Sequence, residues 1–321
     1  MVMMFIGRGR KQFYTSEGVV WTTEYHITYE ADRDLGDSIQ LIFNNIDISV
    51  SPYNKASLIT SLNENTSWRV DPYIKRLLET SRDVWLESGG AFDPTVMPLV
   101  NAWGFGYKSG KMPTRTQLDS ILAFVGMDKL SLTGDTLVKA DPRLMLDFSS
   151  IAKGMACDEI GRMLARNGAR NWLVEIGGEV VARGVNKRGT AWQVSVDMPT
   201  SETDEVKHDS ALTLALDSGA VATSGNYRKW REQGGSKISH IIDPRTGESR
   251  VGTLLSVTVI AADCMSADAW ATACMVMGDS ATRAMMEHRR DLGVMTIVGD
   301  TVTGNLVVWS NAPFADRVQS H

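Results

Sequence analysis

The stretch Met265-Ser266-Ala267-Asp268-Ala269-Trp270-Ala271-Thr272-Ala273-Cys274 constrains this chain more than any other. Alanine is the best helix former and carries almost no side-chain bulk. The run therefore predicts a helix that starts at an Asp263 or Ser266 cap and ends at Gly278. Asp268 and Thr272 are four apart, so they lie one above the other on one face, with the methyls of Ala267 and Ala271 beside them. A carboxylate and a hydroxyl on so shallow a patch are hard oxygen donors that suit Mg²⁺, which takes one or two protein oxygens and fills its shell with water and substrate phosphates. The same two residues also suit plain helix chemistry, an acid near the positive helix end and a neutral interior threonine. The rest of the chain decides between these.

Composition removes several function classes. The 321 residues allow one large or two ordinary domains. The net charge is −5, with Lys and Arg scattered, so there is no basic footprint for nucleic acid. Cys157, Cys264 and Cys274 show no CxxC spacing and sit in or beside apolar helical stretches, which makes them structural thiols. Residues 1–7 are apolar and Arg8-Gly9-Arg10-Lys11 follows, the reverse of a secretory signal and too short to span a bilayer. Residues 1–17 read either as a tail or as the remnant of a membrane anchor, 18–312 as a single domain and 313–321 as a second tail.

Alternation of Val19, Trp21, Thr23, Tyr25, Ile27 and Tyr29 predicts a strand over 18–30, and apolar spacing of three and four predicts a helix over 33–46. The loop Ser51-Pro52-Tyr53-Asn54-Lys55-Ala56-Ser57 places Tyr53 and Asn54 where they either shape a turn or meet a ligand. Pro72 opens an amphipathic helix that stops at Gly89-Gly90. The segment 91–106 is apolar yet broken by two prolines and two glycines, either a core-crossing loop or a wall around a ligand. A helix is predicted over 114–125, a hairpin over 129–139 and a strand over 144–148, which runs into Ser149-Ser150-Ile151-Ala152-Lys153-Gly154 and a long helix. Lys153 in that first turn meets the positive helix end and requires an anion, either a bound phosphate or an ion pair with Asp147 or Asp158.

Antiparallel strands dominate the second half, around a charged loop at 200–209. His240 precedes the turn Asp243-Pro244-Arg245-Thr246-Gly247. At a strand end it is either a structural residue or a base, and it is the best-placed base among five histidines, the others being His26, His208, His288 and His321. A strand over 255–261 delivers the Asp268 helix, and strands over 294–298 and 306–309 close the chain. Helices first and antiparallel strands later make an α+β fold, helices packed on largely antiparallel sheets.

Seven segments, in order and spacing, carry a resemblance: the 51–57 loop, Gly90 to Val96 with Trp103-Gly104-Phe105-Gly106, Asp147 to Gly154, Glu175-Ile176-Gly177-Gly178-Glu179, Ala222-Thr223-Ser224-Gly225-Asn226-Tyr227, His240 to Gly247, and Ser266 to Ala273. Together they resemble the FAD:protein FMN transferase (ApbE) family over about residues 21–309, which implies a T-fold-like architecture. That family takes FAD, cleaves its pyrophosphate with Mg²⁺, moves FMN to a threonine or serine hydroxyl of a target flavoprotein and releases AMP. The resemblance implies that Asp268, Thr272 and the backbone carbonyl of Ser150 bind the metal. It also implies that Trp21, Tyr53, Ala91, Phe92, Asp93, Asp147, Lys153 and Ile242 line the flavin site. His240 is the candidate base for the acceptor hydroxyl, because imidazole titrates near neutral pH.

The implied partner is a separate protein carrying an Asp-x-x-Ser/Thr-Gly-Ala-Thr/Ser-like segment, such as a subunit of a membrane redox complex. The implied location is the extracytoplasmic face of the cytoplasmic membrane, the alternative being the cytoplasm. The chain departs from the pattern in having Trp21-Thr22-Thr23 where many relatives have Met-Gly-Thr, and Met155 at a position often aromatic. Asp217-Ser218-Gly219-Ala220-Val221 resembles an acceptor segment, but Val221 stands where the modified hydroxyl would be, so self-flavinylation is not expected. The rival functions are an FAD pyrophosphatase and a non-catalytic flavin-binding protein.

Overall fold

The computed structural model describes residues 11–106, 112–197, 210–226, 230–233, 236–300, 303 and 305–319. The apolar start at 1–7 with its basic follow-on to residue 10, the charged loop at 200–209, Tyr227, His208 and His321 lie outside the described residues.

Eight strands form one antiparallel sheet in which neighbours in space follow chain order: β1 (Gln12–Val20), β2 (Thr23–Ala31), β3 (Trp172–Ile176), β4 (Glu179–Arg183), β5 (Ser218–Gly225), β6 (Leu254–Ala261), β7 (Gly293–Gly299) and β8 (Leu306–Ser310). Four helices cover one face: α1 (Gly36–Val50), α2 (Pro72–Glu87), α3 (Ala152–Arg166) and α4 (Cys264–Met277). The paired strands Trp192–Asp197 and Ser210–Leu216, with the short helix Ala312–Ala315, cover the other. Val257 and Val259 of β6 therefore pack under the helices while Ile260 packs on the opposite side. A strand buried on both faces reads as a near-continuous apolar run, and 254–261 is apolar but for the buried Ser256 and Thr258.

The expected strand over 18–30 is two strands. Val20 pairs with Thr23 across a two-residue turn at Trp21 and Thr22, whose φ values are +48° and +66°. Such turns ordinarily carry Asn or Gly; without them the alternation runs on through the hairpin and hides it. The expected tails are folded where described. Residues 12–17 belong to the edge strand β1, Phe314 is fully buried, and Val318 bridges to Leu214. The expected strand over 144–148 is also absent, apart from one bridge between Met145 and Val96. There the Asn63 side chain replaces a neighbouring strand, giving Nδ2–H to the Leu146 carbonyl at 2.9 Å and taking its N–H at 2.7 Å.

The α4 helix begins at the Asp263 cap, which accepts the Ser266 N–H at 2.8 Å, and it is buried nearly all round. Helix α3 packs directly against it. A Cβ added at Gly154 would stand 2.4 Å from the Cys264 carbonyl oxygen and 2.8 Å from Met265 Cα, both backbone atoms. One turn further along α3, the Asp158 carboxylate accepts the N–H groups of Cys264 and Met265 at 2.9 and 3.0 Å. Burial pushes that carboxyl up to about 6 in spite of the two bonds. The two helices are thus fixed in both spacing and register.

On an exposed helix Gly→Ala gains about 1 kcal/mol. Gly154→Ala should do the opposite and lower unfolding stability by about 2–3 kcal/mol, measured as a lower urea midpoint at unchanged slope. A variant as stable as the parent would refute the close contact.

Candidate active site

Between α3, α4, the end of β5 and the segments around 96–106 and 240–242 lies a cleft of about 450 Å³. Of the twelve residues expected at a site, it gathers eight: Tyr53, Asp147, Ser150, Lys153, His240, Ile242, Asp268 and Thr272.

At its inner end Asp268 is 4% exposed. Its Oδ2 accepts the Gly154 N–H at 3.2 Å. Gly154 is the third residue of α3, and its N–H is one of the donors a helix start leaves without an intrahelical acceptor, the first helical bond running from the Met155 N–H to the Ile151 carbonyl. The Ser150 carbonyl lies just before the Ile151 cap and accepts no hydrogen bond from the described residues. Thr272 stands one turn after Asp268, its hydroxyl 3.3 Å from that of Ser224. A carboxylate, a hydroxyl and a spare carbonyl facing one cleft are the hard donor set that Mg²⁺ takes. Among the described residues no three His, Cys, Asp or Glu converge on a point, so a metal here would depend on such backbone and hydroxyl oxygens.

The anion required by Lys153 is neither Asp147 nor Asp158 but Glu179, whose Oε2 is 2.5 Å from Nζ. Burial alone would lower the lysine; the charges of Glu179 and Asp268 outweigh it and hold the ammonium above its ordinary range. Burial, opposed by Lys153 and the Gly154 N–H, raises Asp268. Burial and then the Asp268 charge raise Glu179, against Lys153. Glu179 lies in one of the seven resembling segments yet is not an expected site residue, because its partner is 26 positions away and the pairing is set by which strand packs beside α3. Asp147 instead organises the approach to α3, accepting the backbone N–H and hydroxyl of Ser149 at 2.8 and 2.5 Å.

The outer walls are built from turns. Tyr53, 79% exposed, rides on a loop pinned by Asn54, whose Nδ2 donates to Asp47 at 2.7 Å. His240 follows the strand Ser236–Ser239, with the Phe105 ring edge-on at 6.4 Å. The neighbouring Ser239 hydroxyl donates to Asn226 and accepts the Ile241 N–H at 3.1 Å. Beyond Ile242, Asp243 takes Arg245 at 2.9 Å and Arg250 at 3.1 Å. Burial opposes ionisation of Asp243, and the arginine contacts overcome it and keep the carboxyl low.

Four expected residues do not line the cleft. Ala91 and Phe92 are buried in the main core. The Asp93 carboxylate is consumed internally, taking Thr95 N–H and hydroxyl at 2.8 and 2.6 Å and Met127 N–H at 3.0 Å. It borders a second hollow of about 400 Å³ with Trp85, Gly90 and Arg245. Trp21 sits in the strained β1–β2 turn, edge-on to Phe43 at 5.6 Å, beside the Gly177-Gly178 turn whose Gly177 reaches the cleft rim. The three cysteines are buried free thiols, as expected.

Comparison with known proteins identifies the family. The model of the ApbE family matches residues 21–296. The FAD:protein FMN transferase of Vibrio cholerae serotype O1 is 35% identical over 311 residues, covering 94% of this chain and 92% of that protein. Its Escherichia coli K12 counterpart is 33% identical over 84% of this chain and 78% of its own length. Among solved structures, flavin transferase ApbE from Vibrio cholerae superposes with a TM-score of 0.83 at 30% identity, over 96% of this chain and all of that one. The apo form of Pseudomonas stutzeri flavinyl transferase ApbE gives 0.85 at 29% identity, over 99% of this chain and all of that one. The chain belongs to the ApbE family.

Proposed function

We propose that this chain is a Mg²⁺-dependent FAD:protein FMN transferase. The observation that carries the reading is the hard-oxygen set at the inner end of the cleft, the Asp268 carboxylate, the Thr272 hydroxyl and the Ser150 carbonyl, the last lying just before the α3 cap with no hydrogen bond from the described residues. Bound there, Mg²⁺ would neutralise charge on the FAD pyrophosphate. The residues of the chain do the rest. Lys153 adds a cation at a helix start, where a phosphate is also favoured by the dipole. The acceptor hydroxyl oxygen attacks the phosphorus of the FMN half. Its new P–O bond replaces the bond to the bridging oxygen, and AMP departs with that oxygen. His240 takes the hydroxyl proton, and Tyr53 and Ile242 bound the flavin. Positioning and charge neutralisation are most of what such a transfer needs.

Membership of the family supports an acceptor on a separate protein, an Asp-x-x-Ser/Thr-Gly-Ala-Thr/Ser-like segment such as one in a subunit of a membrane redox complex, with the reaction on the extracytoplasmic face of the cytoplasmic membrane and the cytoplasm as the alternative. The chain's own similar segment does not serve, since Val221 is 2% exposed and paired inside the sheet. The isolated protein should therefore carry no covalent flavin by intact mass.

Incubation with FAD, Mg²⁺ and a small acceptor domain should add the mass of FMN to the domain. Asp268→Ala should reduce the rate at least about a thousandfold. His240→Gln should reduce turnover about 10²–10⁴-fold with FAD affinity little changed. AMP release without an adduct would reveal a pyrophosphatase, and neither product a flavin-binding protein.

A further inference from the structure

Two buried carboxylates and one ammonium meet at the inner end of the cleft. Glu179 is 3% exposed and Asp268 4%. Lys153 makes its ion pair with Glu179, not with Asp268, although the charge of Asp268 reaches it. Adjacent residues of one helical turn sort the acids: the Lys153 side chain engages Glu179 and the Gly154 N–H engages Asp268. The sorting is built into the fold. The Gly177-Gly178 turn, with φ of +61° and +97°, delivers Glu179 as the first residue of β4. One turn after Lys153, the Cys157 thiol donates to the Glu179 carbonyl at 3.3 Å.

We infer that Glu179 is a positioning residue that holds the Lys153 ammonium away from Asp268, leaving that carboxylate open to a divalent cation. With both acids present the trio carries a formal charge of −1, which a cation relieves in a site where burial makes unpaired charge expensive. Without the Glu179 charge, Lys153 has Asp268 as its remaining carboxylate. The two then form a closed neutral pair, and the ammonium competes with the metal. The inference rests on the metal site proposed above.

The test uses Mn²⁺ alone, without FAD or acceptor, titrated into the purified protein and followed by electron paramagnetic resonance of the free ion. Circular dichroism and melting temperature verify the fold of each variant. Glu179→Gln should weaken Mn²⁺ binding at least tenfold. Glu179→Gln combined with Lys153→Met should return it to within about threefold of the parent, because no ammonium is left to compete. Lys153→Met alone should bind at least as tightly as the parent, an outcome that does not require Glu179→Gln to fold. A Glu179→Gln protein that binds normally, a double variant as weak as the single one, or weakened binding in Lys153→Met would each overturn the role of Glu179. If the parent and Asp268→Asn bind equally, or the parent binds no Mn²⁺, the metal site falls and this inference with it.

Discussion

The rest of the structure depends on one close approach, that of α3 to α4 at Gly154. A glycine there lets a helix start press on the Cys264 carbonyl with no intervening side chain. Two consequences follow from that single contact. The Gly154 N–H reaches Asp268, and Asp158 comes within reach of the first N–H groups of α4. The site is therefore less a set of side chains placed in a pocket than the by-product of two helix beginnings pushed together. Unsatisfied donors and acceptors are a normal feature of helix ends. Here a carboxylate from each helix accepts N–H groups at the start of the other.

The sheet supplies the frame that makes this geometry stiff. Burial on both faces by separate apolar layers leaves β5 and β6 no room to shift beneath α4, whose alanines sit flat on them. Interiors packed at this density respond to a misplaced methylene by strain rather than by flow. A third apolar cluster of Leu99, Trp103, Leu118 and Ile242 carries the opposite wall, joined to the frame through turns. One side of the cleft thus belongs to regular elements and the other to loops locked by side-chain bonds such as those of Ser239, Asp243 and Asn54.

How much of this was readable from the chain depended on range. The Asp268 and Thr272 pair could be seen because helical spacing is local, as could the Asp263 cap and the demand of Lys153 for an anion. The identity of that anion could not be seen, since it follows from which strand lies beside α3. The β1–β2 hairpin was missed because Trp21 and Thr22 adopt a conformation that their residue types disfavour by roughly 1–2 kcal/mol each. The 144–148 segment imitated a strand because alternation reports burial on two sides, and it does not distinguish a neighbouring strand from the amide of Asn63. The oddity of 91–106 was plain, but which of its atoms face the cleft is decided by where Thr95, Gly126 and Met127 meet, far apart in sequence.

The loop bearing Tyr53 has a further consequence. Its ring is largely in solvent, yet the loop beneath it is held by Asn54, whose side chain donates to Asp47 and whose carbonyl accepts from the Ser57 N–H and the Thr60 hydroxyl. A floppy loop would have to surrender its conformational entropy each time a planar molecule settled against the ring, a loss of about 1 kcal/mol or more per ordered residue. This loop has surrendered it in advance, during folding, so an arriving aromatic surface finds a rigid shelf and loses mainly its own freedom.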